Sequence, residues 1–344
     1  MTEPPLPPTH FPDPVLVEVT RGPVVESAHR GAVAVCNAAG ELVAAWGDVE
    51  RPVYARSAVK ALQALPLLES GAAARYGLSP AEIALACASH TGEARHVALV
   101  SAWLARLGLS EADLECGAHA PADAAAAQAL LREGQRPSAL HNNCSGKHSG
   151  FLTTALHLGE PTKGYIEAVH PVQRRVAQAL AEMADCAEAL TPTAIDGCGI
   201  PTLALPLTGV ATAMARLADP QGLSPARRQA ADTIRAAIAA HPELVAGSGK
   251  LCTEVMTVAP GVLVKAGAEG VYTAILPALG LGVALKIDDG AMRAAEVAIL
   301  AVLHRLGALD AAQESVLDHR RAPAILNVAG RAVGMMRPCA AGWG

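Results

Sequence analysis

The sequence predicts an α/β fold in which both ends of the chain contribute strands to one sheet and the middle forms a helical lobe. β-like runs occur between about 15 and 46, return between 255 and 287, and end with a short run at 324–333. Helix-start signals dominate from 79 to about 242. A doubly wound parallel sheet would need strands and helices to alternate through the middle, and the sequence shows no such alternation there.

The amino-terminal strands are expected at 15–19, 31–36 and 42–46, where valine, alanine and leucine prevail. The Asn-Ala-Ala-Gly sequence at 37–40 is typical of a turn, so the second and third strands should form a hairpin. The first 14 residues are rich in proline, and this composition predicts a loose arm.

Helices in the middle of the chain are marked by their first residues. The Ser-Pro-Ala-Glu sequence at 79–82 combines an N-cap serine, an early proline and a glutamate at the capping-box position. Ser-Pro at 224–225 and His-Pro at 170–171 are similar starts, although histidine is a weaker cap. These signals predict that the central lobe is helical.

Strand character returns near the carboxyl end at 261–265, 271–276 and 282–287. A glycine-containing turn at 267–270 should join the first two of these strands, and a helix should follow at about 290–306.

One two-lobed domain is therefore expected over 15–344. Its sheet lobe should combine about 15–56 with 250–344, and its helical lobe should span about 57–249. A cleft between two such lobes is a common place for a binding or catalytic site.

Composition limits the partners of this chain. It has 344 residues with a net charge of -5, and charged residues make up 17% without acidic or basic blocks. Nucleic acid and anionic membrane surfaces are therefore not expected as partners. No apolar run reaches the roughly 20 residues of a membrane-spanning helix. The sequence start lacks the pattern of a secretory signal, which predicts a cytoplasmic protein with reduced, scattered cysteines.

Lysine is rare, since only six of the 27 basic residues are lysines. A chain this rich in arginine should keep lysine where arginine cannot serve, for example where an amine must lose its proton. Four lysines lie in motif-like surroundings: Lys60, Lys147, Lys250 and Lys265.

The first of these motifs is Ser-Ala-Val-Lys at 57–60. On a helix, residues three apart share a face, so Lys60 could accept the proton of Ser57 and activate its hydroxyl as a nucleophile. The alternative is a serine near a helix start beside a solvated lysine.

Two polar segments could line a site. Ser89 and His90 follow the helix expected at 79, although Gly92 could simply end that helix. The segment 140–150 is almost entirely polar, glycine or cysteine, so it is either a surface loop or part of a site.

A metal site is a further possibility. Cys144 in the polar segment and Cys198 in the Asp-Gly-Cys-Gly sequence at 196–199 could hold a soft metal such as zinc, with Lys147 or a histidine nearby. Zinc-finger spacing is absent, so two buried thiols are the alternative.

Taken together, five ordered segments resemble the rhizobial-type, or thermolabile, L-asparaginase family. They are Arg-Ser-Ala-Val-Lys at 56–60, Ala-Ser-His at 88–90, His-Asn-Asn-Cys-Ser-Gly-Lys-His at 141–148, Asp-Gly-Cys-Gly at 196–199 and Lys-Ala-Gly-Ala-Glu-Gly at 265–270. The resemblance extends over nearly the whole chain.

This resemblance implies a fold similar to serine β-lactamases and glutaminases, a homodimer and release of ammonia from L-asparagine. It implies two Ser-Lys pairs, Ser57 with Lys60 and Ser89 with Lys265. Lys265 is the least secure of these matches, because Lys250 and Lys286 lie on neighbouring segments.

The resemblance also implies a zinc site at Cys144, Lys147 and Cys198, which modulates the enzyme and takes no part in the chemistry. Substrate contacts are expected from five residues around these motifs: Arg56, His90, Asn143, His148 and Asp196.

Three rival interpretations remain open. The cysteine site could activate water in a metal-dependent hydrolase. The chain could be a serine hydrolase of the penicillin-recognising type, in which a Lys-Thr-Gly strand faces a Ser-x-x-Lys helix. Ala266 replaces the threonine here, and no Ser-Asp-Asn triplet is present. The third possibility is a non-catalytic binding module, although such a copy would be expected to lose one of the Ser-Lys pairs.

Overall fold

The computed structural model describes residues 13–186 and 193–344. Eleven strands occur in these ranges: β1 (Val15–Arg21), β2 (Val24–Asn37), β3 (Leu42–Trp46), β4 (Pro52–Tyr54), β5 (Thr193–Ile195), β6 (Pro201–Pro206), β7 (Leu263–Ala266), β8 (Val271–Leu276), β9 (Leu281–Ile287), β10 (Ala324–Leu326) and β11 (Ala332–Pro338).

The described ranges also contain fourteen α-helices: α1 (Lys60–Gln63), α2 (Leu65–Glu69), α3 (Ala72–Arg75), α4 (Pro80–Ala86), α5 (Ala94–Arg106), α6 (Ala124–Arg132), α7 (Ser145–His157), α8 (Pro171–Ala184), α9 (Leu207–Ala218), α10 (Pro225–Ala240), α11 (Pro242–Val245), α12 (Leu251–Val258), α13 (Met292–Arg305) and α14 (Ala311–Arg321). None of them combines the length and the hydropathy that crossing a bilayer would require.

The main sheet joins both ends of the described chain, as the sequence predicted. Its strand order is β10-β11-β1-β2-β9-β8-β7, and β3 pairs with β2 beside this path. Strand β1 lies antiparallel to β11, with Val17 opposite Pro338, and β2 lies antiparallel to β9, with Gly31 opposite Ile287. The predicted α/β fold with a two-ended sheet and a central helical lobe is therefore confirmed.

Helices cover the centre of this sheet. All six residues of β8 are buried, and because neighbouring side chains point to opposite faces, both faces of this strand must be covered. Helices α9 and α13 supply the cover. A Cβ at Gly282 on β9 would lie 2.1 Å from the Ala211 carbonyl oxygen of α9, so glycine permits this close approach.

The central part of the chain departs from the prediction in one respect. Strands β4, β6 and β5 form a second, three-stranded sheet, so the lobe expected to be helical over 57–249 also contains strands. Strand β6 runs between two prolines, Pro201 and Pro206, and is only six residues long. Such short, proline-bounded strands have a weak sequence signal beside long helices.

Two local predictions concern the start of the chain and its helices. The capping box at α4 is present, because Ser79 N donates to Glu82 Oε2 at 2.8 Å and Glu82 N donates to Ser79 Oγ at 3.3 Å. Most of the expected arm at 1–14 lies outside the described residues. Asp13, at its end, is buried and accepts a hydrogen bond from Asp48 N at 2.6 Å.

Candidate active site

The Ser89 hydroxyl lies between two lysine amines. Its Oγ is 3.0 Å from Lys60 Nζ and 2.9 Å from Lys265 Nζ. Lys60 begins α1, Ser89 follows the end of α4, and Lys265 belongs to β7 at one edge of the main sheet. Three segments that are far apart in sequence thus meet at one hydroxyl group, between the sheet and the helical lobe.

Strand β7 is held against the turn that precedes α1. Thr273, opposite Lys265 on the neighbouring strand, donates a hydrogen bond to the Ala58 carbonyl oxygen at 3.0 Å. Gly267 allows the same contact, because a Cβ at this position would lie 2.6 Å from the Ala55 carbonyl oxygen. These two contacts fix the distance between the two lysine-bearing segments.

Lys60 is fully buried, and its amine contacts three oxygens. These are the Ala88 carbonyl, the Ser89 hydroxyl and, at 3.4 Å, the Asn143 carbonyl. Burial lowers the pKa of Lys60. A neutral amine has two N–H donors and one lone pair, and because carbonyl oxygens only accept, the lone pair is left to receive the Ser89 proton.

Apart from Ser89, the surroundings of the Lys265 side chain are mainly apolar. Its amine donates to the Ala266 carbonyl oxygen at 2.7 Å, and its side chain borders a cavity of about 20 Å³. The other residues around this cavity are mostly apolar: Ala58, Ala61, Cys87, Met214, Ile238, Val245, Leu263, Val264, Thr273 and Ile275. Burial, followed by the charge of Lys60, lowers the pKa of Lys265 to about 7. Of the three lysines considered for the second pair, which were Lys250, Lys265 and Lys286, Lys265 is the one whose amine contacts Ser89.

Ser57 does not form the hydrogen bond with Lys60 that the sequence predicted. It lies in a 3₁₀ turn, Arg56–Val59, and is partly exposed. In the described part of the chain its hydroxyl has no hydrogen-bond partner. The reason is the direction of Lys60, whose amine is drawn to the Ala88 carbonyl and to Ser89.

Two of the expected substrate residues form an ion pair beside Ser57. Arg56 Nε donates to Asp196 Oδ1 at 2.6 Å, and the Gly197 amide donates to the same oxygen at 2.8 Å. Arg56 has φ 51°, a left-handed backbone that non-glycine residues rarely adopt. Burial opposes the charge of Asp196, but Lys147 and Arg56 together lower its pKa. A charged pair on a strained backbone thus flanks the serine.

The expected metal residues also meet. Lys147 Nζ donates to Cys198 Sγ at 3.2 Å, and a hydrogen bond from Cys198 lowers the pKa of Cys144 well below its usual value. The same bond raises the pKa of the Cys198 thiol. Burial opposes the charge of Lys147, but the two cysteines raise its pKa.

The two cysteine thiols suit zinc, and the Lys147 amine could be a third ligand only after losing its proton. A more familiar donor set is missing, since the described residues contain no group of three or more histidine, cysteine, aspartate or glutamate side chains placed to hold a metal.

His90 lies between Ser89 and α7, and both of its ring nitrogens form hydrogen bonds. Its Nε2 is 2.8 Å from Ser145 Oγ, and its Nδ1 accepts a hydrogen bond from Gly92 N at 3.1 Å. The ring stacks on His96 with centroids 4.8 Å apart. Burial, followed by the charge of His96, lowers the pKa of His90 well below its usual value. The ring is therefore neutral and joins the Ser89 segment to α7.

His148 and Asn143 are also placed differently from a simple substrate contact. His148 is fully buried, its Nδ1 is 2.8 Å from the Tyr165 hydroxyl, and its Nε2 has no hydrogen-bond partner among the residues that the structure describes. The Asn143 carbonyl oxygen accepts from the His90 backbone at 3.2 Å and from Lys60. Asn143 thus contacts Lys60 through its backbone, while its side-chain Oδ1 accepts a hydrogen bond from the Cys144 thiol at 3.1 Å.

Three groups at the site were missed from the sequence. Two are the carbonyl oxygens of Ala88 and Asn143, which carry no sequence signal because every residue has a carbonyl group. The third is Thr273, which could have been found by pairing the two predicted strands across their turn, since that places it opposite Lys265.

Comparison with known proteins gives a family and a set of distant structures. The family model described as L-asparaginase II matches residues 17–338. Among curated protein sequences, none is significantly similar to this chain.

Three solved structures are among those similar to the chain. A protein named Mglu, in its native form in 4.3 M NaCl, is 13% identical with a TM-score of 0.42, covering 81% of this chain and 61% of that one. A β-lactamase from Mycobacterium bovis is 15% identical with a TM-score of 0.39, covering 86% and 96%. A D-alanine carboxypeptidase AmpC from Burkholderia cenocepacia is 12% identical with a TM-score of 0.42, covering 81% and 93%. The chain thus spans about three fifths of the length of Mglu.

Proposed function

Because this chain belongs to the L-asparaginase II family, we propose that it hydrolyses the side-chain amide of L-asparagine to L-aspartate and ammonia. The observation that carries the proposal is the Ser89 hydroxyl held at 3.0 and 2.9 Å from two buried amines of lowered pKa. A hydroxyl between two amines whose pKa values are lowered by burial can pass protons between them, which amide hydrolysis through an acyl-enzyme requires.

The nucleophile in this proposal is Ser57. Its hydroxyl is partly exposed and forms no hydrogen bond within residues 13–186 and 193–344, so it can meet a substrate, and it precedes Lys60 by three residues. Lys60 reaches it by giving up its longest contact, the 3.4 Å bond to the Asn143 carbonyl oxygen. Lys60 takes the Ser57 proton while the serine oxygen attacks the amide carbon of asparagine.

The second Ser-Lys pair carries that proton to the leaving group. It passes from Lys60 through the Ser89 hydroxyl to Lys265, and from there to the departing nitrogen, which leaves as ammonia. Water then loses a proton to Lys60 and attacks the β-aspartyl ester. Ser57 recovers its proton, and L-aspartate is released. Burial, followed by the charge of Lys60, lowers the pKa of Lys265 to about 7, so the end of the relay can gain and lose a proton near neutral pH.

Recognition of the amino-acid end is assigned to the ion pair beside Ser57. Arg56 can bind the α-carboxylate and Asp196 the α-amino group, since both charges already face each other at 2.6 Å. His90, His148 and Asn143, which were expected to contact substrate, act in this proposal by holding the walls of the cleft.

A zinc ion at Cys144, Lys147 and Cys198 is the proposed cofactor. Bound there, it would supply a positive charge close to Lys60 and Asn143, because Lys60 is among the groups that shift the pKa of Cys144. The chemical steps above involve only serine and lysine side chains, so the metal would modulate the enzyme.

We further propose a homodimer, following the family resemblance, and a cytoplasmic location. All eight cysteines are free, which suits a reducing compartment. Light scattering of the purified protein at several concentrations would report the mass and overturn the dimer if only a monomer is found.

The function is tested by ammonia release from L-asparagine with the wild type and with Ser57→Ala, Ser89→Ala and Ser101→Ala. Ser101 is exposed on α5 and serves as the matched control. We expect the two site variants to lose at least about a hundredfold in kcat, as when a nucleophile or relay is removed.

Peptide mass analysis after rapid acid quenching would locate the acyl group. Aspartyl ester on the Ser57 peptide supports the nucleophile assignment, and ester on the Ser89 peptide transfers that role to Ser89. Absence of ammonia release by the wild type would end the proposed function.

A further inference from the structure

The Glu93 carboxylate lies next to the Ser89 segment, and the proposed reaction does not use it. Glu93, the N-cap of α5, is only 12% exposed at its side chain. Its Oε1 accepts from the Ser248 amide at 2.7 Å and from the Thr91 hydroxyl at 2.8 Å. Its Oε2 contacts the Ser248 hydroxyl at 3.2 Å and Arg95 at 2.9 Å. One carboxylate therefore ties the loop after α4 to the loop before α12.

The loop before α12 is the Gly-Ser-Gly-Lys segment at 247–250, whose sequence context was noted above and whose role the mechanism leaves open. Gly247 has φ 105°, and a Cβ there would lie 2.1 Å from Thr91 Oγ1. Thr253 on α12 donates to the Gly247 carbonyl oxygen at 2.7 Å. The loop backbone is thus packed directly on Thr91 and is also held by the hydrogen bond from α12.

Ser89 is also joined to the end of α11, which directly precedes this loop. The Ser89 amide donates to the Val245 carbonyl oxygen at 2.9 Å, and Val245 also lines the cavity beside Lys265. Any shift of the segment before α12 therefore moves the Ser89 backbone and the wall next to Lys265 together. Arg95 donates to the Ser248 hydroxyl at 3.1 Å and Arg320 donates to the Gly249 carbonyl oxygen at 2.9 Å, but Glu93 is the charged residue that also binds Thr91 in the Ser89 segment.

We propose that Glu93 is a positioning residue for the reaction, which clamps the Ser248 loop to the Ser89 segment and so holds the Ser89 hydroxyl between the two lysine amines. This inference rests on the proposed asparagine hydrolysis. It adds a residue that touches neither substrate nor reacting atoms and that acts through the backbone at Ser89 and Val245.

A carboxylate suits this task because it accepts several hydrogen bonds at once. The Ser248 amide, the Thr91 hydroxyl and Arg95 come from different directions, and two oxygens can satisfy all of them. A glutamine has one acceptor oxygen, so Glu93→Gln keeps the shape but must lose the contact to Arg95 or the contacts to the Ser248 loop.

The test compares Glu93→Gln with Glu82→Gln. Glu82 offers a matched control, because it is a buried carboxylate that completes the capping box of α4 and pairs with Arg106, away from the Ser248 loop. Both variants should lose similar thermal stability. We expect Glu93→Gln to lower kcat about tenfold with KM changed less than about twofold, as expected for loss of transition-state positioning.

A second readout separates positioning from general loosening. On the acid side of the pH profile, kcat/KM depends on the protonation of the two lysine amines at Ser89. Glu93→Gln should therefore shift the pH at which kcat/KM falls, whereas Glu82→Gln should leave this pH at the wild-type value. Thr91→Val should change kcat and the pH profile as Glu93→Gln does, whereas Thr91→Ser, which keeps the hydroxyl, should have wild-type values. If Glu93→Gln does not fold, the comparison of these two Thr91 variants tests the proposal. The proposal would be overturned if the Glu93 and Glu82 variants had equal kcat and the same pH profile of kcat/KM.

Amide hydrogen exchange distinguishes this failure from failure of the proposed function. If the wild type releases no ammonia from asparagine, the function is wrong. Faster exchange of the Ser89 amide in Glu93→Gln than in Glu82→Gln would still support the positioning role of Glu93, and equal exchange would exclude that role.

Discussion

Lys265 should weaken the fold at neutral pH, and Lys265→Met should therefore stabilise it. The pKa of this amine is about 7 against 10.5 in the unfolded chain. Between these values the unfolded chain binds more protons, so stability rises with pH across that window. At about 1.4 kcal/mol per pKa unit, the lysine costs at most about 4 kcal/mol at pH 7 and about 2 kcal/mol at pH 9.

Methionine removes this cost together with two hydrogen bonds, to Ser89 and to the Ala266 carbonyl, worth about 1 kcal/mol each. We therefore expect Lys265→Met to be more stable by up to about 2 kcal/mol at pH 7, with the difference vanishing near pH 9. The same variant should lose its activity.

Urea unfolding of both proteins at pH 7, 8 and 9 would measure the difference in the free energy of unfolding. Lys163→Met provides the control, because Lys163 is 66% exposed and should give a difference within about 0.5 kcal/mol at each pH. A Lys265→Met protein that is less stable than the wild type at pH 7, or a difference that does not change with pH, would refute the assignment of an uncharged buried amine.

Three further predictions concern the site. Since the relay ends on Lys265, kcat/KM for asparagine should fall about tenfold per pH unit below about pH 7, and a flat profile down to pH 5 would contradict the relay. Gly267→Ala should cost about 1–3 kcal/mol of stability and most activity, because the new Cβ meets the Ala55 carbonyl at 2.6 Å. Gly222→Ala, with open space around it, should cost little in the same unfolding assay. A strong zinc chelator should leave partial ammonia release, whereas complete loss that added zinc restores would favour metal-activated water.

The sheet could be predicted because its strands carry continuous apolar runs at both ends of the chain. The predicted strand at 271–276 coincides with β8, all of whose residues are buried. The second sheet was missed because β5 and β6 are three and six residues long and lie among helices. Short strands gain most of their stability from tertiary packing, which a single sequence does not display.

The site was partly predictable for a different reason. Serine and lysine are chemically distinct, so Lys60, Ser89 and Lys265 stood out in a chain poor in lysine. The direction of the Lys60 side chain was not predictable, and the expected Ser57–Lys60 contact is absent because the Lys60 amine contacts the Ala88 carbonyl and Ser89. The oxygens that orient Lys60 belong to backbone carbonyls, which no residue type marks.

The two-ended sheet has a consequence for how this protein comes into being on the ribosome. The first strand, β1, lies between β2 and β11, and Lys265 belongs to a strand made long after Lys60 and Ser89. During synthesis, Ser89 lacks its second lysine neighbour until about three quarters of the chain has been made. If Ser89 and the two lysines act as proposed, a nascent chain should gain turnover in one late step, when its sheet closes.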